Sequence, residues 1–205
     1  QSPINAAGGA SPASAAAVRA ARFLDNPSPS WKLIWQGGSY TTMSDVYFSS
    51  EITRIGQLFI TSTEKGVSNI FFGERGFRSY LERTAPHGLV PGGPAAGMAR
   101  EIELYFEGKL TKFMTPLDVT SGTDFQKTVW ENLRAVPYGK LTTYGELAEK
   151  VGKPGAARAV GNAVGENPLP IVIPCHRVVA SDGLGGYTGG IDIKKDLLKV
   201  EGVLT

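Results

Sequence analysis

The chain carries one cysteine, Cys175, inside the run Ile171-Val172-Ile173-Pro174-Cys175-His176-Arg177-Val178-Val179. Two readings of it stand. Free cysteine is commonly a small buried hydrophobe, and Ile171 to Ile173 read as an apolar strand that would bury it. Against this, Pro174 interrupts that strand, and His176 and Arg177 follow at once, which an apolar pocket would not select. Both cations favour the thiolate, the form that attacks. A reactive thiol also needs a base and a third group to orient the base. Neighbours in an extended segment point to opposite faces, so Cys175 and His176 are expected not to touch directly. Glu201, read by pattern alone, is a solvated carboxylate at a helix end.

The nine-residue run resembles the active-site signature of the O6-alkylguanine-DNA alkyltransferases. Other segments stand in that family's order and spacing. They are Tyr105-Phe106-Glu107-Gly108, Phe125-Gln126-Lys127-Thr128-Val129-Trp130, Thr143-Tyr144 with Leu147-Ala148, and Ala157-Arg158-Ala159-Val160-Gly161. Gly165-Glu166-Asn167-Pro168, Gly186-Tyr187-Thr188-Gly189-Gly190, Lys194 and Leu197-Leu198 ahead of Glu201-Gly202 complete the match. The resemblance covers about residues 45–203, a far more specific signal than a lone short motif.

The resemblance implies irreversible, stoichiometric repair of alkylated DNA. The alkyl group on guanine oxygen is an sp³ carbon with a modest leaving group, which suits a soft thiolate. The thioether formed resists water and ordinary thiols, so one cysteine gives one turnover. The resemblance makes Cys175 the acceptor, with a water between it and His176, and Glu201 orienting the imidazole. Tyr144 is implied to donate to the leaving purine. Asn167 is implied to tie a helix-turn-helix to the active-site segment. Val178, Tyr187, Thr188 and Lys194 are implied at the base pocket, Val178 and Thr188 through backbone groups and Tyr187 as a wall. Serine is common in the family where Thr188 stands.

The target atom lies inside the duplex stack, so the base must be flipped out at a cost of a few kcal/mol. Arg158 is implied to fill the gap from a helix in the minor groove. Ala156, Ala157 and Gly161 keep that helix face thin. No cofactor and no metal are implied. The partner is double-stranded DNA containing alkylated guanine, and the protein is expected to be a monomer away from membranes, cytoplasmic or, in a eukaryote, nuclear.

The elements that must position these residues divide the chain. Residues 1–43 stand apart: Ser11-Pro12 starts an Ala-rich helix, Asn26 to Ser30 ends it, and Trp31, Trp35 and Tyr40 follow. They read as a fused remnant, a natural extension or an artificial addition. Residues 44–120 read as an α/β domain, with strands at Val46 to Phe48, Gln57 to Thr61 and Val67 to Phe72. A helix is expected over Gly76 to Arg83, then a Pro/Gly-rich loop from Pro86 to Gly97 that holds His87 at the surface. Met98, Ile102, Tyr105 and Phe106 recur at helical spacing. Pro116 to Val119 suits a short strand or connector. Residues 121–205 read as helical. Thr123 caps a helix bearing Phe125, Val129, Trp130 and Leu133. Thr143 and Glu146 have capping-box spacing, and Gly152 fits the C-terminal cap. A helix over Gly155 to Val164 completes a helix-turn-helix. The fold class expected by resemblance is α/β: a small ribonuclease-H-like N-terminal domain with an antiparallel sheet, then a helical winged-helix domain.

Composition narrows the classes further. The 205 residues are 41% hydrophobic and 20% charged, with formal net charge +2, ordinary values for a folded protein. One cysteine excludes an intramolecular disulfide and fits a reducing interior. Two histidines and one cysteine do not make an ordinary structural zinc site. Gly183 to Gly190 does not fit the dinucleotide fingerprint. Two other functions compete with repair. One is a module that recognises alkylated DNA without transfer, or a regulator; the resemblance implies that retention of Cys175 argues against the binding-only form, since family-like proteins of that type replace the cysteine. A cysteine hydrolase would need a remote histidine, and only His87 is available.

Overall fold

The computed structural model describes residues 46–84 and 88–205. The expectations for residues 1–43, including the helix begun at Ser11-Pro12, and for His87 lie outside the described residues.

Strands β1 (Val46–Thr53), β2 (Gly56–Thr63) and β3 (Gly66–Phe72) form an antiparallel meander. β4 (Leu89–Pro91) joins β1 in parallel, giving the order β3-β2-β1-β4. β1 is longer than the run Val46 to Phe48 suggests. It continues to Thr53, which pairs with Gly56 across a turn at Arg54-Ile55. Thr53 holds that turn, its Oγ1 donating to the Gly56 carbonyl at 2.8 Å and accepting from Ile55 N at 3.3 Å.

Side chains alternate across the sheet. Leu58 and Ile60 enter the main core, while Phe59 stacks on Phe77 of α1 (Gly73–Thr84) with ring centroids 4.8 Å apart. Phe48 joins Phe59 and Phe77 in a separate cluster. Helix α1 thus covers one face, and α2 (Gly93–Phe106) covers the other through Ala95, Met98, Ile102 and Tyr105. The Pro/Gly-rich stretch expected to be loop therefore carries β4 and the start of α2. Pro94 lies in the first turn of α2, where a missing N–H costs nothing.

The connector at Pro116 to Val119 closes on β3. Val67 N donates to Pro116 O at 2.8 Å, and Asp118 N donates to Val67 O at 2.7 Å. A Cβ at Gly66 would sit 2.5 Å from Pro116 O, so glycine permits this approach.

Helix α3 (Asp124–Arg134) opens with a capping box, Thr123 accepting from Gln126 N while Gln126 accepts from Thr123 N. Short strand β5 (Thr142–Thr143) leads into α4 (Tyr144–Lys150), whose capping box pairs Thr143 with Glu146 as the spacing requires. Gly152, at φ +71°, ends α4: its N–H donates to Glu149 O at 2.9 Å and Lys153 N to Ala148 O at 2.9 Å, the Schellman pattern. Helix α5 (Ala157–Gly165) begins two residues later than expected, because Gly155 turns at φ +81°. Trp130 Nε1 donates to Ala163 O at 2.8 Å, fixing α3 to α5.

A 3₁₀ turn (Cys175–Arg177) precedes β6 (Val178–Val179), which pairs with β5 in parallel, and α6 (Ile191–Val200) follows. One buried cluster runs from Leu58 and Ile60 of the sheet to Cys175 and Leu197. No helix among the described residues is long and apolar enough to cross a membrane.

Candidate active site

Ile171 to Ile173 do not form the strand expected of them. They lie in a turn, with Ile173 N donating to Leu169 O at 2.8 Å. Ile171, fully buried, has φ +75°, alone among the described non-glycine residues in being positive. A β-branched residue pays strain in that region. Asn167 holds the turn from both ends: its Nδ2 donates to Ile173 O at 2.7 Å and its Oδ1 accepts from Leu169 N at 3.0 Å. The sheet also reaches this segment, Ile70 N donating to Pro168 O at 2.9 Å.

Cys175 therefore sits at the start of a 3₁₀ turn rather than in an extended run. Its thiol is buried and pushed up from its ordinary value by that burial, against weaker opposition from Asn167, Tyr187 and the charge of Lys194. The pull toward thiolate expected from His176 and Arg177 does not prevail. Arg177 is engaged elsewhere, and burial holds His176 below its ordinary value, against the pull of Glu201.

Glu201 is not the solvated carboxylate its sequence position suggests. It is the C-cap of α6, and Gly202 at φ +71° closes a second Schellman turn. That geometry sends the carboxylate inward, where it is 6% exposed. Oε1 accepts from His176 Nε2 at 2.7 Å, Tyr105 Oη at 2.9 Å and Arg177 Nη2 at 2.9 Å. Oε2 accepts from Arg177 Nε at 2.9 Å and Gly139 N at 3.0 Å. Burial works to raise this carboxyl, but the hydrogen bonds and charges of His176 and Arg177 prevail and hold it at about 2. A carboxylate only accepts hydrogen bonds, so Nε2 bears the imidazole proton and Nδ1 is left as the basic nitrogen. Nδ1 is buried and makes no hydrogen bond to any described residue.

A cleft of about 320 Å³ opens above the thiol, lined by Tyr144, Gly161, Val164, Cys175, Tyr187 and Thr188 among others. That volume lies at the lower end of small-ligand sites, roughly 300–1,000 Å³. Tyr144, the first residue of α4, and Gly161 of α5 pack together in its wall: a Cβ at Gly161 would lie 3.7 Å from the Tyr144 ring. Tyr144 titrates above its ordinary value, through burial and then the neighbouring Cys175. The Tyr187 hydroxyl is buried near the sulfur without completing a hydrogen bond of ordinary geometry. Thr188 Oγ1 donates to Gly165 O at 3.0 Å, joining the glycine-rich loop to the end of α5. Arg158 is exposed one helical turn before Gly161, with Ala156 and Ala157 half-buried beside it.

Val178 and Lys194 stand behind the cleft, not on its wall. Lys194 Nζ, buried, donates to Val178 O at 2.6 Å and also bonds Leu184 O, so it braces the loop instead of facing a base. The sequence reading missed Tyr105 and Tyr138 as site residues. Tyr138 Oη donates to Val200 O at 2.7 Å, and its ring lies 5.8 Å from the Arg177 guanidinium. The motif Tyr105-Phe106-Glu107-Gly108 was the available signal for Tyr105.

Fold and site together define a protein that presents one buried, base-backed thiol beside a helix-turn-helix. The chain belongs to the 6-O-methylguanine DNA methyltransferase family, whose ribonuclease-like domain matches residues 46–119 and whose DNA binding domain matches residues 124–203. The methylated-DNA–protein-cysteine methyltransferase of Mycobacterium bovis is 40% identical over 157 residues, 76% of this chain and 92% of the relative. That of Methanosarcina barkeri is 56% identical over 104 residues, 50% of this chain and 65% of the relative. The crystal structure of Mycobacterium tuberculosis OGT in complex with DNA matches with a TM-score of 0.65 at 38% identity, covering 77% of this chain and 92% of that one. The O6-methylguanine-DNA methyltransferase of Pyrococcus kodakaraensis matches with a TM-score of 0.57 at 34% identity, covering 77% and 99%.

Proposed function

We propose that this protein repairs DNA by moving an alkyl group from the O6 position of guanine, and by extension from O4 of thymine, to its own Cys175. The observation that carries this reading is the buried chain from cleft to carboxylate: Cys175 on the cleft floor, then His176, whose Nε2 lies 2.7 Å from Glu201 Oε1.

The thiol is protonated at rest, so a base must take its proton as the sulfur attacks. His176 Nδ1 is the acceptor, reached through one water, since Nε2–H is bound to Glu201. The new bond joins sulfur to the alkyl carbon while the carbon–oxygen bond breaks. The electron pair leaves on the guanine, and the Tyr144 hydroxyl on the cleft wall stabilises it with a hydrogen bond or proton. The product is S-alkylcysteine and restored guanine. No external acceptor frees the sulfur, so each molecule reacts once.

Helix α5 enters the minor groove with Arg158 filling the place of the extruded base. Asn167 positions Cys175 by holding the turn ahead of it. Residues 44–120 form the supporting domain and 121–205 the domain that binds DNA and reacts. The protein works where DNA and reduced thiols coexist, in the cytoplasm or, in a eukaryote, the nucleus.

The test is stoichiometry. With excess alkylated duplex, lesion loss should stop at one equivalent per protein. Continued turnover, or lesion binding without loss, would overturn the proposal.

A further inference from the structure

We propose that Arg177 and Tyr105 are positioning residues that keep His176 a neutral base, by occupying the Glu201 carboxylate that would otherwise hold an imidazolium. This rests on the transfer reaction proposed above and adds a separable claim about its base.

The argument is a count of buried charge. Glu201 brings one negative charge into a buried site. Arg177 meets it with two parallel hydrogen bonds, Nε to Oε2 at 2.9 Å and Nη2 to Oε1 at 2.9 Å. A guanidinium stays charged in any protein setting. Its fork is locked by Nη1 donating to Val136 O at 2.6 Å and by the Tyr138 ring. The carboxylate is therefore already neutralised before His176 enters the balance. A proton on Nδ1 would leave an uncompensated buried positive charge, which is costly.

Burial works most strongly against charging the ring. Of the groups facing it, Glu201 at the end of α6 favours the charged ring, Arg177 from its own turn opposes it, and Lys194 of α6 adds a second opposing positive charge. Tyr105 of α2 donates to Oε1, the oxygen that His176 uses. That bond draws electron density from the acceptor and weakens its hold on a protonated ring. A cysteine–histidine pair backed by an uncompensated carboxylate would rest as imidazolium with no room for the thiol proton. The Arg177 fork removes that state.

The experiment reads the His176 ring nitrogens by ¹⁵N NMR between pH 6 and 8, with a His87→Gln background leaving one histidine. The native protein should show a protonated Nε2 and a bare Nδ1 throughout. In Arg177→Gln the ring should become doubly protonated at neutral pH, and the acid limb of the transfer rate should rise by about one to three pH units. Arg177→Lys should return the ring toward neutral. Tyr105→Phe should move the limb the same way by a smaller amount, and it decides the matter with the native spectrum if Arg177→Gln does not fold. An imidazolium in the native protein, or an acid limb unmoved in these variants, overturns the inference. Transfer that proceeds with an imidazolium sinks this inference alone, whereas absence of transfer in the native protein sinks the reaction itself.

Discussion

The Tyr105 hydroxyl donates to Glu201 Oε1 at 2.9 Å, and both residues are buried although 96 positions separate them. The N-terminal half is thereby more than a support. Its α2 supplies a donor to the carboxylate that orients His176, and its β3 binds the turn that precedes Cys175.

Removing the charge of Glu201 should harm folding and chemistry together. Glu201→Gln leaves the Arg177 guanidinium buried without its counter-charge, and breaking such a pair costs about 3–5 kcal/mol. Denaturant unfolding should show the loss. The transfer rate should fall by about a hundredfold or more, the usual contribution of a positioned base.

Tyr144→Phe separates chemistry from binding. The ring still packs against Gly161, but the donor to the departing purine is gone. Single-turnover rates should drop by about a hundredfold, while DNA affinity measured by anisotropy changes little. A matching loss of affinity would mean that Tyr144 binds and does not activate.

Arg158→Ala should weaken binding to duplex more than reaction with free O6-methylguanine, which needs no flipping. The slope of log affinity against log salt should fall by about one. Equal losses on duplex and free base would remove Arg158 from the role of wedge.

Acid should destabilise the fold in two stages. The folded state holds His176 below its ordinary value, so stability declines as pH falls below 6.5, where the unfolded ring takes a proton that the folded ring refuses. Glu201, at about 2 against an ordinary 4.5, contributes stability that is full above 4.5 and lost as pH falls toward 2. Unfolding midpoints followed from pH 7 downward test this. In Glu201→Gln the second stage should be smaller.

Local chemistry was the legible part of the sequence. Thr143 with Glu146 and Gly152 with Lys153 signal caps through contacts a few residues apart, and α4 begins and ends where they place it. Cys175, His176, Tyr144 and Tyr187 were legible through the motif: the fold gathers Cys175, Tyr144 and Tyr187 at one cleft and holds His176 buried on Glu201. The failures came from side-chain partners that the local pattern does not announce. Ile171 to Ile173 have strand composition, yet Asn167 and the buried surroundings force them into a turn with Ile171 at positive φ. Arg177 reads as a cation beside a thiol because nothing nearby announces that Glu201 claims it. Lys194 reads as a pocket residue until Val178 and Leu184 carbonyls take its ammonium.

The most direct test weighs the intact protein after incubation with a duplex containing O6-methylguanine. The expected result is a permanent gain of one methyl group per molecule, mapped to Cys175 by peptide sequencing and lost in Cys175→Ala. An unchanged mass alongside tight lesion binding, or a methyl found on any other residue, would contradict the account.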